Sequence, residues 1–170
     1  MRFYIYTSFI FSFLMISCKE KNIDTPPSTQ WKNNYVKLDT SHRALTHGQT
    51  HLSVYSSVYS QTEHRTHDLT ATVSMRNLSM KDSLYISNAD YFNTKGEKIK
   101  SYLTKAIGLA PLETVEIVIG QKNTKGGTGG NFVFDWYANS IPPHFEAIMI
   151  STSGSQGISF RTEGINILDK

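Results

Sequence analysis

The stretch Leu69-Thr-Ala-Thr-Val-Ser-Met-Arg76 places the tightest constraint on the fold, because Leu69, Ala71, Val73 and Met75 alternate with Thr70, Thr72, Ser74 and Arg76. A period of two puts the apolar set on one side of an extended chain and the polar set on the other, so the segment reads as a strand with one buried and one wet face. The pattern recurs along the chain. Leu52, Val54 and Val58 alternate against Ser53, Tyr55, Ser57 and Tyr59, Leu84 and Ile86 lead toward Tyr91 and Phe92, and a turn at Asn93-Thr94-Lys95-Gly96 precedes Ile99 to Leu103. Pro111, which has no ladder donor to lose at a strand entrance, opens a candidate strand from Leu112 to Ile119 in which Val115, Ile117 and Ile119 share a face. Phe132, Phe134 and Trp136 share the next face. Ala147 to Ile150 is nearly unbroken apolar sequence, and Ile158 with Phe160 and Ile165 with Ile167 complete the series. No helical period appears.

These runs predict seven to nine strands in a single domain spanning residues 48–170. Each strand offers one apolar face that must find another sheet, so the expected fold is all-β: an immunoglobulin-like antiparallel β-sandwich, with a small β-barrel as the alternative closure.

The chain begins differently. Arg2 is followed by an uncharged, mostly apolar stretch from Phe3 to Ser17 and then by Cys18, the layout of an export signal. About fifteen residues rise ~22 Å as a helix, short of the ~30 Å hydrocarbon core that a spanning helix must cross. The residues up to Cys18 resemble the bacterial lipobox, in which an aliphatic and a small residue precede a cysteine that becomes acylated. Met15, Ile16 and Ser17 fill those positions here, and Leu14 stands one residue earlier than the usual leucine. The resemblance implies that residues 1–17 are a lipoprotein signal peptide, removed on export, and that Cys18 is the lipid anchor. Cys18 is also the single cysteine of the chain, so the domain has no disulfide and must be stabilised by apolar burial. A domain of ~150 residues buries close to 70% of the surface its unfolded chain exposes, which is sufficient.

Residues 18–47 are polar, contain Pro26-Pro27 and read as a mostly flexible tether, with Trp31, Tyr35, Val36 and Leu38 available to pack on the domain. Some thirty residues of coil give a root-mean-square reach of ~30 Å. The formal net charge of +3 includes Arg2, and acids and bases are intermixed in the remainder, a balance that gives no reason to expect a nucleic-acid partner.

His51-Leu-Ser-Val-Tyr-Ser-Ser-Val-Tyr59, Arg76-Asn77, Asp90-Tyr-Phe-Asn-Thr-Lys-Gly96, Gly126-Gly-Thr-Gly-Gly-Asn-Phe132 with Trp136, and Glu146-Ala-Ile-Met-Ile150 with Gln156-Gly-Ile-Ser-Phe160 together resemble a family of bacterial exported proteins known as domain of unknown function 3124. The resemblance spans roughly residues 48–168. It carries no activity over to any residue.

Four segments hold candidate chemistry. Glu63-His64-Arg65-Thr66-His67-Asp68 concentrates metal-ligand types in what reads as a hairpin connection, with His144 the first candidate for a third histidine; zinc normally takes three or four protein ligands, so a solvated loop is the simpler reading. The loop from Gly120 to Asn131 holds five glycines and two lysines between two strands. Its backbone N–H groups suit an anion nest or a partner contact through Gly126, Gly127, Gly129, Gly130 and Asn131, while a turn-bearing connection is the plainer account. Alanine at these glycines is expected to disturb partner binding more than folding. In the Ser151–Gly157 segment the order Gly154-Ser155-Gln156-Gly157 departs from a nucleophile elbow and suits a tight turn. Tyr55 and Tyr59 fall opposite Leu52, Val54 and Val58, an aromatic pair expected on an outer face, where tyrosines either pack across strands or hold a sugar or partner strand.

The expected function is that of a membrane-anchored envelope lipoprotein whose non-catalytic β-sandwich binds a protein or glycan and needs no cofactor. Lys19, where retention at the inner membrane is associated with Asp, favours the outer membrane, on its periplasmic or surface face. The alternatives are a metal-dependent or hydrolytic enzyme using His64 and His67, with His144, and an assembly factor for exported proteins.

Overall fold

The computed structural model describes residues 33–38, 45–152 and 157–169. Residues 1–17, expected as a signal peptide, Cys18, Trp31 and residues 153–156, expected as a turn, lie outside these. Twelve strands are present among the described residues: β1 (Thr46–Ser53), β2 (Ser57–Ser60), β3 (Thr62–Asp68), β4 (Thr70–Arg76), β5 (Leu84–Phe92), β6 (Lys98–Ser101), β7 (Ile107–Leu109), β8 (Thr114–Ile119), β9 (Asn131–Ala138), β10 (His144–Ser151), β11 (Ile158–Glu163) and β12 (Ile165–Asp169). They form a six-stranded antiparallel sheet in the order β12-β1-β9-β5-β6 with β7 also on β5, a four-stranded sheet in the order β11-β10-β4-β8, and a β2-β3 hairpin. Both main sheets have open edges, so the fold is a sandwich and the barrel alternative is excluded.

The strand count exceeds the seven to nine expected because the additions carry little periodicity. Strand β7 has only three residues, while β6 answers to the run expected from Ile99 to Leu103. Strand β3, expected as a connection, is exposed along almost its whole length and shows no apolar face at all. The expected strand through Leu52 and Val58 is two strands, broken where Val54 N donates to Gly130 O at 2.8 Å and Ser56 N to Gly127 O at 3.0 Å. Leu112 belongs to a turn instead of the strand that follows, with φ of 61°.

The inward faces meet as the alternation requires. Leu69, Ala71, Val73, Met75, Ile117, Ala147 and Met149 from one sheet and Leu52, Ile86, Phe132, Phe134 and Trp136 from the other are all buried. An aromatic ladder runs through this core: Tyr91 stacks on Phe132 (centroids 4.6 Å), Phe132 on Phe134 (5.3 Å), and Phe134 crosses to Phe145 of the other sheet (4.2 Å). Trp136 lies opposite Gly48 in the β1/β9 register, and a Cβ at Gly48 would collide with the indole ring. Glycine is required there for close approach. Asn77, buried, sits within 2.9–3.2 Å of the Asp82, Leu109 and Ala110 carbonyls and so ties the β4–β5 turn to the end of β7.

Part of the segment expected as tether is docked. Asn34 Nδ2 donates to Gly108 O at 3.1 Å, Tyr35 forms a bridge with Ile107, and Val36 N donates to Ala106 O at 3.0 Å, so residues 34–36 continue the six-stranded sheet beyond β7.

Candidate ligand-binding face

Residues paired directly across antiparallel strands share a face, so the outer surface of the six-stranded sheet can be assembled from the register. Its first row is His47, Tyr137 and Tyr85; its second is Gln49, Asp135 and Asn88; Asp90, Val133 and His51 form the third. Asn88 reaches this face only because the β5/β9 register shifts between Ile86 and Asn88. Such an extra residue re-aims a side chain, here toward Asp135.

The second row is locked by hydrogen bonds. Asp135 accepts from Gln49 Nε2 at 2.7 Å and from Asn88 Nδ2 at 3.2 Å, and His47 Nε2 stands 3.5 Å from the same carboxylate. Asn88 also donates to Asp90 at 2.9 Å, and Asp90 takes Ser101 Oγ and Lys98 Nζ as further partners. Burial pushes the Asp90 carboxyl up, but the hydrogen bonds from Asn88, Ser101 and Lys98, together with the Lys98 charge, hold it below its ordinary value. Above this row His47 stacks on Tyr137 with centroids 4.7 Å apart. The result is a surface of two rings beside a fixed run of amides and carboxylates.

Several residues singled out from sequence are placed elsewhere. Tyr55 packs partly buried against the core and beside Phe160, with centroids 6.1 Å apart. Tyr59 stands 62% exposed on β2, so the two tyrosines do not form the expected pair on one face. His64 falls where the β2/β3 register shifts, between the Ser60–Thr62 and Tyr59–Thr66 pairs, His67 pairs with Val58, and His144 stands on β10 opposite Arg76. No group of three or more His, Cys, Asp or Glu positioned to hold a metal occurs among the described residues.

The glycine loop is built inward. Its 3-10 turn, Thr124–Gly129, rests on Thr94, whose Oγ1 donates to Gly126 O at 3.1 Å and accepts from Gly129 N at 2.9 Å. A Cβ at Gly126 would collide with the Tyr91 hydroxyl, and one at Gly130 would stand 2.7 Å from Val54 O. Gly127 has φ of 68°. The expectation that alanine here spares folding is therefore corrected, since these glycines admit Tyr91 and the neighbouring backbone. Asn131 is half-buried at the start of β9, with its amide 3.4 Å from Gly129 O.

Sequence periodicity already contained the face that it did not single out. Asn131, Val133, Asp135 and Tyr137 alternate with the core aromatics of β9, so their outward direction was available. Their partners on β1 and β5 were not.

The fold and this face define a class: a two-sheet antiparallel sandwich with a pre-ordered polar and aromatic outer surface. The chain belongs to the family described as protein of unknown function DUF3124, whose model matches residues 47–167. No curated protein matches the sequence significantly. Among solved structures, the crystal structure of Thermotoga maritima 1070 aligns with a TM-score of 0.45 at 5% identity, covering 69% of this chain and 92% of that one.

Proposed function

We propose that the protein is a lipid-anchored component of the bacterial cell envelope whose sandwich binds a glycan without chemistry of its own. The anchor rests on the uncharged stretch that ends at Cys18, and Lys19 favours the outer membrane. The observation that carries the binding reading is the His47–Tyr137 stack beside the Gln49–Asp135–Asn88 run. Sugars present C–H faces and hydroxyls together. Aromatic rings match the first, and a carboxylate with two amides offers both donors and acceptors for the second. Because the neighbours already fix these side chains, little rotamer freedom is lost on binding.

The test is binding of the purified protein to an array of envelope polysaccharides and peptidoglycan fragments, with Tyr137→Ala and Asp135→Ala as variants. Retention of a glycan by the parent and at least a tenfold loss in each variant is expected; a parent that retains none overturns the reading. A protein partner is the second reading, favoured by the outer face of the four-stranded sheet. There Ile148, Thr72 and Val118 form one row and Ile150 lies in the next, with Ile148, Ile150 and Val118 each 40% or more exposed. In-cell crosslinking from Ile150 distinguishes it.

A further inference from the structure

Charge is distributed unevenly over the domain. Six of the seven lysines between residues 45 and 169 fall between Lys95 and Lys125. That interval contains β6, β7 and the glycine loop, and Thr94 hydrogen-bonds the loop to the turn before β6. Lys95, Lys98, Lys100, Lys105 and Lys125 are exposed, and Lys37 joins them across an open cleft of about 450 Å³ lined by Tyr35, Val36, Lys37 and Lys105.

The acids nearby are engaged locally. Asp90 takes Lys98 at 3.4 Å, Glu97 accepts from Asn93 at 2.8 Å, and Glu113 accepts from Asn34 at 2.7 Å and from Ala110 N. On the other sheet, Arg76 and Arg161 pair with Glu146, and Arg161 also with Glu163. Glu97 and Glu113 keep their charge on neutral donors, but Lys37, Lys95, Lys98, Lys100, Lys105 and Lys125 outnumber the three carboxylates, so this edge is net basic.

The path of the chain says what covers that edge. Residues 34–36, on the route from Cys18 to the domain, are fixed to β7 at this same edge, and about fifteen residues between Cys18 and Asn33 span at most ~50 Å fully extended. Edge β12 lies about 19 Å farther across the sheet, within that reach, but the chain toward Cys18 leaves the domain at the lysine edge. We propose that the lysine edge formed by β6, β7 and residues 34–37 is a docking surface for the anionic headgroup layer in which an acylated Cys18 is held. The inference rests on the lipid-anchor reading. It adds an orientation: the domain lies with β6 and β7 toward the lipid and its polar and aromatic face turned across the membrane plane. Lysine ammonium groups are attracted to such a layer within a Debye length, ~8 Å at physiological salt.

The test uses the acylated full-length product, purified in detergent and reconstituted into phosphatidylcholine vesicles or into vesicles one-third phosphatidylglycerol. Both are floated, briefly acetylated and mapped by mass spectrometry. A soluble lysine peptide added to each sample serves as the reference for reagent activity. Acetylation of Lys98, Lys100 and Lys105 relative to that peptide is expected to fall about fivefold on the anionic vesicles and to recover in molar salt, where the Debye length shrinks to ~3 Å. Equal ratios on both vesicles, with the protein floating on each, overturn the docking inference alone. A protein that fails to float with neutral vesicles overturns the anchor reading and this inference with it.

Discussion

Trp136 Nε1 donates to Thr50 Oγ1 at 2.9 Å, and the same hydroxyl donates onward to Asn166 Oδ1 at 2.7 Å. One buried threonine thus joins β9, β1 and β12. Its loss leaves the indole N–H without its acceptor in a site that excludes water. Thr50→Val, nearly the same in volume, is expected to lower stability by about 1–3 kcal/mol, the cost of an unsatisfied buried donor, read as a shift in the urea midpoint at unchanged slope.

The glycines of the loop separate by what surrounds them. Gly126→Ala drives a methyl into the Tyr91 hydroxyl and Ser56 Oγ, whose hydrogen bond of 2.9 Å is buried, so destabilisation of about 2–4 kcal/mol is expected. Gly96→Ala meets nothing within 4 Å and suffers only from its φ of 77°, for a loss of about 1–2 kcal/mol. Thermal unfolding of the two variants side by side checks the order.

Phe145 is the contact through which the aromatic ladder passes from one sheet to the other. Phe145→Ala opens a cavity between the sheets and is expected to cost about 3–5 kcal/mol, with Phe145→Leu recovering more than half. Near-ultraviolet circular dichroism should lose intensity in the alanine variant even where far-ultraviolet signal persists.

Stability should fall at both ends of the pH scale for different reasons. Burial and the neighbouring Tyr91 raise Tyr102 from 10.0 to about 12, and burial also raises Tyr91 against an opposing hydrogen bond from Ser56. A raised value means that the folded state holds its proton longer, so this contribution is intact below pH 10 and is lost as pH climbs from 10 toward about 12. Tyr102→Phe should flatten that limb. Asp90 is shifted the other way, so its contribution is present above the ordinary value of 3.8 and disappears as pH drops through the lower folded value. Denaturant titrations of Asp90→Asn across the acid range should show a shallower loss than the parent.

Metal content tests the placement of the histidines. His64 and His67 stand on the β2-β3 hairpin and His144 on the four-stranded sheet, and no third ligand joins them among the described residues, so protein purified without chelator is expected to carry less than substoichiometric zinc, manganese or nickel. Stoichiometric metal measured by plasma mass spectrometry, lost in His64→Ala with His67→Ala, contradicts this placement.

The alternation of Leu69, Ala71, Val73 and Met75 determined an amphipathic strand before any partner was known, because side-chain direction in an extended chain depends only on parity. The same local rule gave β8 and β9, and an almost unbroken apolar run marked β10, and with them came the two-layer class of fold. It failed for β3, whose polar residues pair by backbone hydrogen bonds that leave no mark in hydropathy, and at Val54, where the chain leaves β1 to bond the glycine loop. What the tertiary structure alone decided was adjacency. His47, Asn88 and Asp135 come from strands that only sheet order and a register shift bring side by side, and Tyr35 meets β7 across some seventy residues of chain. Parity is a property of neighbouring residues along the backbone. Which strands lie together is set by how all the apolar faces are covered at once, and no single segment carries that information.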